Sequence, residues 1–181
     1  MGMLELAQQF DRTGSGFRAK RESLFTIDDA RHNDLIYVGS PSSALSVGEI
    51  LGTREFTFRR QRAGPDPYRW EIVESHPRPG DTGVYYGSSD IQPIETDYAI
   101  IALKRGLDPS RWTLLLEGTS TEATQAAVDY VCNESSVAGM LNGLHIKYGA
   151  HLKPFEGLLR VKIADAVPVE TELLDLRGTG N

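Results

Sequence analysis

Residues 98–131 read YAIIALKRGLDPSRWTLLLEGTSTEATQAAVDYV, and the fold turns on this stretch. Tyr98-Ala99-Ile100-Ile101-Ala102-Leu103 and Trp112-Thr113-Leu114-Leu115-Leu116 are two continuous apolar runs of strand length. The link between them, Arg105-Gly106-Leu107-Asp108-Pro109-Ser110, is too short to hold a helix, so the two strands are predicted to be antiparallel neighbours. The second run ends at Glu117-Gly118. Thr119 and Glu122 then form a capping-box signature ahead of Ala123, Ala126, Ala127, Tyr130 and Val131 at helical spacing. The expectation is a helix over residues 120–132 lying on a sheet.

Upstream, Leu35-Ile36-Tyr37-Val38 runs into Gly39 and reads as a strand buried on both faces. Ser40-Pro41-Ser42-Ser43 ends it, and Ser46 with Glu49 marks the start of a short helix, with Leu45 and Ile50 in the staple positions. A strand leading into a helix beside an antiparallel pair predicts a mixed sheet. Phe56-Thr57-Phe58 and Tyr68-Arg69-Trp70-Glu71-Ile72-Val73 alternate around Ala63-Gly64-Pro65-Asp66-Pro67, which reads as a hairpin. Residues 75–83, with His76-Pro77-Arg78-Pro79-Gly80, read as a surface loop, and Val84-Tyr85-Tyr86 as a short edge strand. Downstream, residues 136–144 suggest a short helix. Residues 158–164 and 167–176 suggest a closing hairpin turning near Asp165-Ala166. At the start, Leu4, Leu6, Ala7 and Phe10 predict a helix over 3–10, broken by Thr13-Gly14-Ser15-Gly16, and residues 27–32 predict a second helical turn. The expected organisation is an N-terminal helical and linker segment, 1–33, then one α/β domain over 34–177 with a mixed sheet covered by short helices, then a frayed tail, 178–181.

The chain has 181 residues, 40% hydrophobic and 24% charged, a balance suited to one domain that folds without disulfides or metals. Asp and Glu number 25 against 19 Lys and Arg, a net charge of -6 that disfavours a dedicated nucleic-acid binder. The single cysteine, Cys132, allows no internal disulfide and no multi-cysteine zinc site, as in a reducing compartment. Glu5 stands where a signal peptide is basic, and no apolar run approaches the roughly 20 residues of a membrane helix. These features predict a cytoplasmic protein with no membrane and no nucleic-acid partner.

Chemistry concentrates at two strand-to-helix turns. Gly39, Ser40, Ser42 and Ser43 form one, and Gly118, Thr119, Ser120 and Thr121 the other. In open α/β sheets ligands sit beyond the carboxyl ends of strands, where small hydroxyl residues let the backbone approach a phosphate or a ribose. The same residues also serve as ordinary caps and turns. Neither turn matches the dinucleotide fingerprint or the P-loop. Arg54, Arg59, Arg60, Arg62 and Arg69 gather positive charge on the first hairpin, suited to clamping a phosphate or an acidic surface, or to solvation. His32, His76, His145 and His151 have no metal-ligand spacing with one another or with Cys132, so no metal and no cofactor is assigned. No serine has a nucleophile elbow, so Ser40, His145 and Asp97 define no triad, and Asp97 is expected to fix a turn. Asn133-Glu134-Ser135 matches a glycosylation sequon and, without a secretory signal, is read as chance.

The segments Asp34-Leu35-Ile36-Tyr37-Val38-Gly39-Ser40-Pro41, Thr96-Asp97-Tyr98-Ala99-Ile100-Ile101, Leu114-Leu115-Leu116-Glu117-Gly118 with Ala123-Thr124-Gln125-Ala126-Ala127, and Phe155-Glu156-Gly157-Leu158-Leu159-Arg160-Val161 follow a recognisable order. Over residues 34–176 this order resembles a Rossmann-like domain found at the C-terminal ends of multidomain bacterial regulatory proteins. Ala123 stands where that pattern has a glycine. The resemblance implies a sensing or regulatory module and no catalytic residues. The placement of the two turns is also similar to nucleotide-sensing domains related to cytokinin-activating phosphoribohydrolases, whose paired glycines and arginine are missing here. The leading reading is a non-enzymatic sensor of a nucleotide-like or sugar-phosphate ligand, with the eight turn residues as its two walls. The alternatives are an N-glycosidic-bond hydrolase using Glu117 or Glu122, and an interaction module that forms a homodimer through apolar edges such as 84–86 or the C-terminal hairpin.

Overall fold

A computed structural model of the chain describes residues 2–14, 16–40, 53–62, 68–88, 95–145 and 151–179. The helices are α1 (Gly2–Thr13), α2 (Ile27–His32), α3 (Thr121–Cys132) and α4 (Glu134–Gly143). The strands are β1 (Leu35–Gly39), β2 (Phe56–Arg62), β3 (Tyr68–Glu74), β4 (Val84–Tyr86), β5 (Thr96–Arg105), β6 (Trp112–Gly118), β7 (Phe155–Ala164) and β8 (Val167–Gly178). The helix expected near Ser46, and with it Ser42 and Ser43, lies outside the described residues.

The strands form a five-stranded sheet in the order β1-β6-β5-β7-β8 and a three-stranded sheet in the order β2-β3-β4. β5 and β6 are antiparallel, as the short link requires, with Ile101 opposite Leu116. β1 runs parallel to β6, which makes the larger sheet mixed. Its continuous apolar run had suggested burial on both faces, yet every residue of β1 is half-buried because the strand is an edge. β5 and β6, and the first half of β7, are covered on both faces, and the unbroken apolar runs of β5 and β6 have that cause.

Alternation along those strands divides the core in two. Ala99, Ile101, Leu116, Leu159 and Val161 face one side and pack with Ala123, Ala126, Ala127 and Val128 of α3, Met140 of α4 and Leu6 of α1. Ile100, Ala102, Leu115 and Leu158 face the other side and pack with Phe56 and Ile72 of the small sheet. Helices therefore cover one face, and the second sheet covers the other, where more helices were expected. The α3 alanines keep that helix close to the strands, and a side chain at Gly118 would collide with the Thr124 backbone nitrogen.

The true N-cap of α3 is Ser120, whose Oγ accepts from Ala123 N at 3.1 Å, rather than Thr119. The β7–β8 hairpin turns through Asp165 and Ala166, both left-handed at φ 52° and 58°, as a two-residue hairpin of the right twist requires. Among the described residues no helix is long and apolar enough to cross a membrane.

Candidate functional site

The parallel pairing of β1 and β6 carries both turns to the same end of the sheet. Gly39 lies opposite Glu117, and Thr124 Oγ1 donates to Gly39 O at 3.2 Å, so the two turns adjoin at the carboxyl ends of neighbouring parallel strands. Gly39, Ser40, Gly118, Thr119, Ser120 and Thr121 are brought together there, while Ser42 and Ser43 lie outside the described residues.

On the α3 side the hydroxyls are engaged inside the fold. Thr119 Oγ1 donates to the Asp97 carboxylate and accepts from Tyr98 N at 3.2 Å. Asp97 also accepts from Ser88 N at 3.1 Å. This buried carboxylate ties the end of β4 to β5 and β6, the fixing role the sequence suggested, and burial raises its pKa against the hydrogen bonds from Thr119 and Ser120. In the first turn of α3, Ala123 N is capped by Ser120 Oγ and Thr124 N reaches Ser120 O at 3.0 Å. Thr121 is exposed. The Gly118 turn thus presents a shaped backbone with few spare hydroxyl donors.

On the small-sheet side stands a pair that sequence reasoning only half found. Glu117 is 8% exposed, and burial pushes its carboxyl up to about 7 against the opposing charge of Lys104. Tyr37 lies on the neighbouring strand with its ring over Gly39: a Cβ at Gly39 would stand 3.1 Å from Tyr37 Oη. That hydroxyl is buried without a hydrogen-bond partner among the described residues. Burial raises the phenol's pKa, and the charges of Glu22 and Glu117 raise it further. Lys104 is lowered by burial and senses Glu156, Arg54 and Glu117. Glu117 had entered the sequence reading as a candidate acid, whereas Tyr37 read as one more apolar strand residue.

Two buried charge arrangements were invisible in the sequence because their partners lie far apart along the chain. Arg177, 6% exposed, donates to Asp175 at 2.7 Å, Glu74 at 2.8 Å, Asp81 at 3.2 Å and Glu55 at 3.4 Å, and to His76 O at 2.9 Å. Burial opposes its charge, but these carboxylates hold its pKa above the ordinary value. Glu74, Asp81 and Asp175 place oxygens within 4.8 Å of one another, a spacing a metal ion would suit, and the Arg177 guanidinium occupies it. Glu156 accepts from three successive backbone nitrogens, Arg54 at 2.7 Å, Glu55 at 2.9 Å and Phe56 at 3.1 Å, and so anchors the entry of β2 on β7.

The arginine strip of the first hairpin is largely held in place. Arg59 pairs with the fully buried Glu71, Arg60 lies 5.9 Å from the Trp70 ring, and Arg69 4.2 Å from Tyr86. A shallow cleft of about 270 Å³ lies between α1 and α3, lined by Glu5, Gln9, Asp129 and Cys132 among others. Burial raises the Cys132 thiol's pKa, with the nearby charges of Glu5 and Asp129 adding to it. The histidines are dispersed: His32 Nδ1 bonds Asp28 O, and His76 lies 3.5 Å from Glu55.

Comparison with protein-family models, with curated proteins and with solved structures gives no match for this chain.

Proposed function

We propose that the chain is a regulatory sensor domain that binds a small nucleotide-like or sugar-phosphate ligand where the Gly39-Ser40 and Gly118-Thr119-Ser120-Thr121 turns meet. The observation that carries this reading is the parallel register of β1 on β6, with Gly39 opposite Glu117. Carboxyl ends of adjacent parallel strands are where backbone amides and a helix N-terminus converge on ligands. The Rossmann-like resemblance points to the same end of the sheet and to a role attached to effector domains. The test is a thermal-shift screen of nucleosides, nucleotides and sugar phosphates. A ligand at 100 times its Kd adds about 2.7 kcal/mol, roughly 5 to 10 °C for a chain of this size. The shift should vanish in the Ser40→Leu/Thr121→Leu double variant while its own melt stays cooperative. An unchanged shift in that variant sinks the proposal.

A second reading is hydrolysis of an N-glycosidic bond. The observation favouring it is Glu117, buried at the same strand end with a carboxyl pushed up to about 7, where it can give and take a proton. Nucleoside turnover that disappears in Glu117→Gln supports it; absence of turnover across the panel leaves the sensor.

A further inference from the structure

The small-sheet wall of this strand end carries two polar groups without an evident task in the fold. Among the described residues Tyr37 Oη is buried and unpaired, a state that costs stability unless something fills it. Glu117 lies on the same sheet face, opposite Gly39, and the absence of a side chain at Gly39 leaves room for the Tyr37 ring, whose Oη would stand 3.1 Å from a Cβ there. The charges that bear on Tyr37 are Glu22 and Glu117, both acidic. The one cation that bears on Glu117, Lys104, also answers to Glu156. On the opposite wall, Thr119 and Ser120 are bonded internally. Among the described residues this strand end is thus poor in spare cationic and side-chain donor groups for a phosphate, and it offers one carboxyl that gives and takes a proton near neutral pH beside one phenol that both donates and accepts.

Resting on the ligand-binding reading above, we propose that Glu117 and Tyr37 form a subsite for the hydroxyls of a neutral sugar, so that the cleft prefers a nucleoside to its 5′-phosphate. A ribose hydroxyl exchanges hydrogen bonds with both Glu117 and Tyr37, which satisfies the buried phenol, whereas a phosphate meets Glu22 and the ionised form of Glu117 as like charges.

The experiment is calorimetric titration of the full chain with adenosine, guanosine, cytidine and uridine and with their 5′-monophosphates, repeated on Glu117→Gln and Tyr37→Phe. The expected result is at least one nucleoside bound about tenfold or more tightly than its monophosphate, with each variant weakening that nucleoside by about tenfold, the loss of one bond to a charged or buried group. Glu117→Gln keeps the side-chain shape; should it fail to melt cooperatively, Tyr37→Phe carries the test alone. Monophosphates binding as tightly as nucleosides, or variants binding nucleosides like the parent while Ser40→Leu/Thr121→Leu loses them, overturns the sugar subsite and leaves the cleft standing. No heat with any of the probes overturns the sugar subsite, and no thermal shift with sugar phosphates as well overturns the ligand-binding reading.

Discussion

Arg177 holds one buried positive charge among four carboxylates that come from residue 55, β3, the 75–83 loop and its own strand. Removing one partner of such a group leaves the others desolvated and unpaired, so Arg177→Met is expected to cost about 3 to 5 kcal/mol in a denaturant melt. Arg177→Lys should recover only part of this, because an ammonium cannot span the same fork of acceptors. Glu117 gives a prediction in pH. Its folded pKa of about 7 lies above the ordinary 4.5, so the folded state holds a proton that the unfolded state releases. That contribution is complete below the ordinary glutamate value and is lost as pH rises through about 7, amounting to about 3 kcal/mol at most. Stability should therefore fall over this window in the parent chain and fall less in Glu117→Gln; equal slopes would refute the assignment. At this scale the sequence made the turn glycines and hydroxyls legible, because local chemistry selects them. Arg177, Glu156 and Tyr37 were not legible, since each draws its meaning from groups brought near only by the sheets.

Elements were read best where periodicity is local. The β5–β6 link, the helix over 121–132 and the hairpin at Asp165-Ala166 follow from connection length, spacing and turn chemistry, and they stand as expected. Capping was misassigned by one residue, because Thr119 and Ser120 are equivalent in sequence and only the Thr119 bond to Asp97 separates them. The C-terminal hairpin had been considered as a self-association edge. β8 instead carries Pro168, two register shifts and the charges of Glu170, Glu172 and Asp175, devices that discourage edge pairing. Helix α1 is a different case. It packs on α3 through the buried Leu6 and Gln9, which donates to Cys132 O at 3.2 Å, with the acids Glu5 and Asp129 facing each other. The single amide of Gln125 reaches both, at 3.5 Å and 2.5 Å. The side-chain hydrogen bond with Asp129 is the largest cause raising the Glu5 carboxyl, with burial next. A raised carboxyl favours the docked helix while protonated, so docking should weaken as pH rises through and above the usual glutamate range. Hydrogen-exchange protection at Ala7–Phe10 is expected to drop about two- to fivefold from about pH 5 to about pH 8 relative to Val128 in α3, as repulsion between exposed like charges allows. Glu5→Gln should abolish the drop; a drop that persists in this variant removes the acid pair as its cause.

Over the whole molecule, the larger sheet is covered by helices on one face and by the small sheet on the other, and alternation in the sequence explains why this arrangement was hidden. The pattern of β5 and β6 states that both faces are buried, but not what buries them. The small sheet is joined to the large one by the cluster of Phe56, Ile72, Ile100, Ala102, Leu115 and Leu158, by Arg177 and by Glu156. Such a shared apolar core, with buried charges bridging it, predicts that the two sheets unfold together as one cooperative unit. The chain carries a natural reporter for each: Trp70 lies in β3 and Trp112 in β6, and these are its 2 tryptophans. Trp70→Phe leaves fluorescence from the large sheet alone, and Trp112→Phe from the small sheet alone. With each variant compared with its own far-ultraviolet dichroism transition, the fluorescence and dichroism midpoints in urea should coincide. Introducing Phe56→Ala into either background should lower both midpoints together, by a stability loss of about 3 to 5 kcal/mol from the cavity at the sheet-to-sheet contact. If the Trp70 signal is lost at lower urea than the dichroism, or if Phe56→Ala moves only that signal, the small sheet is an independently unfolding layer.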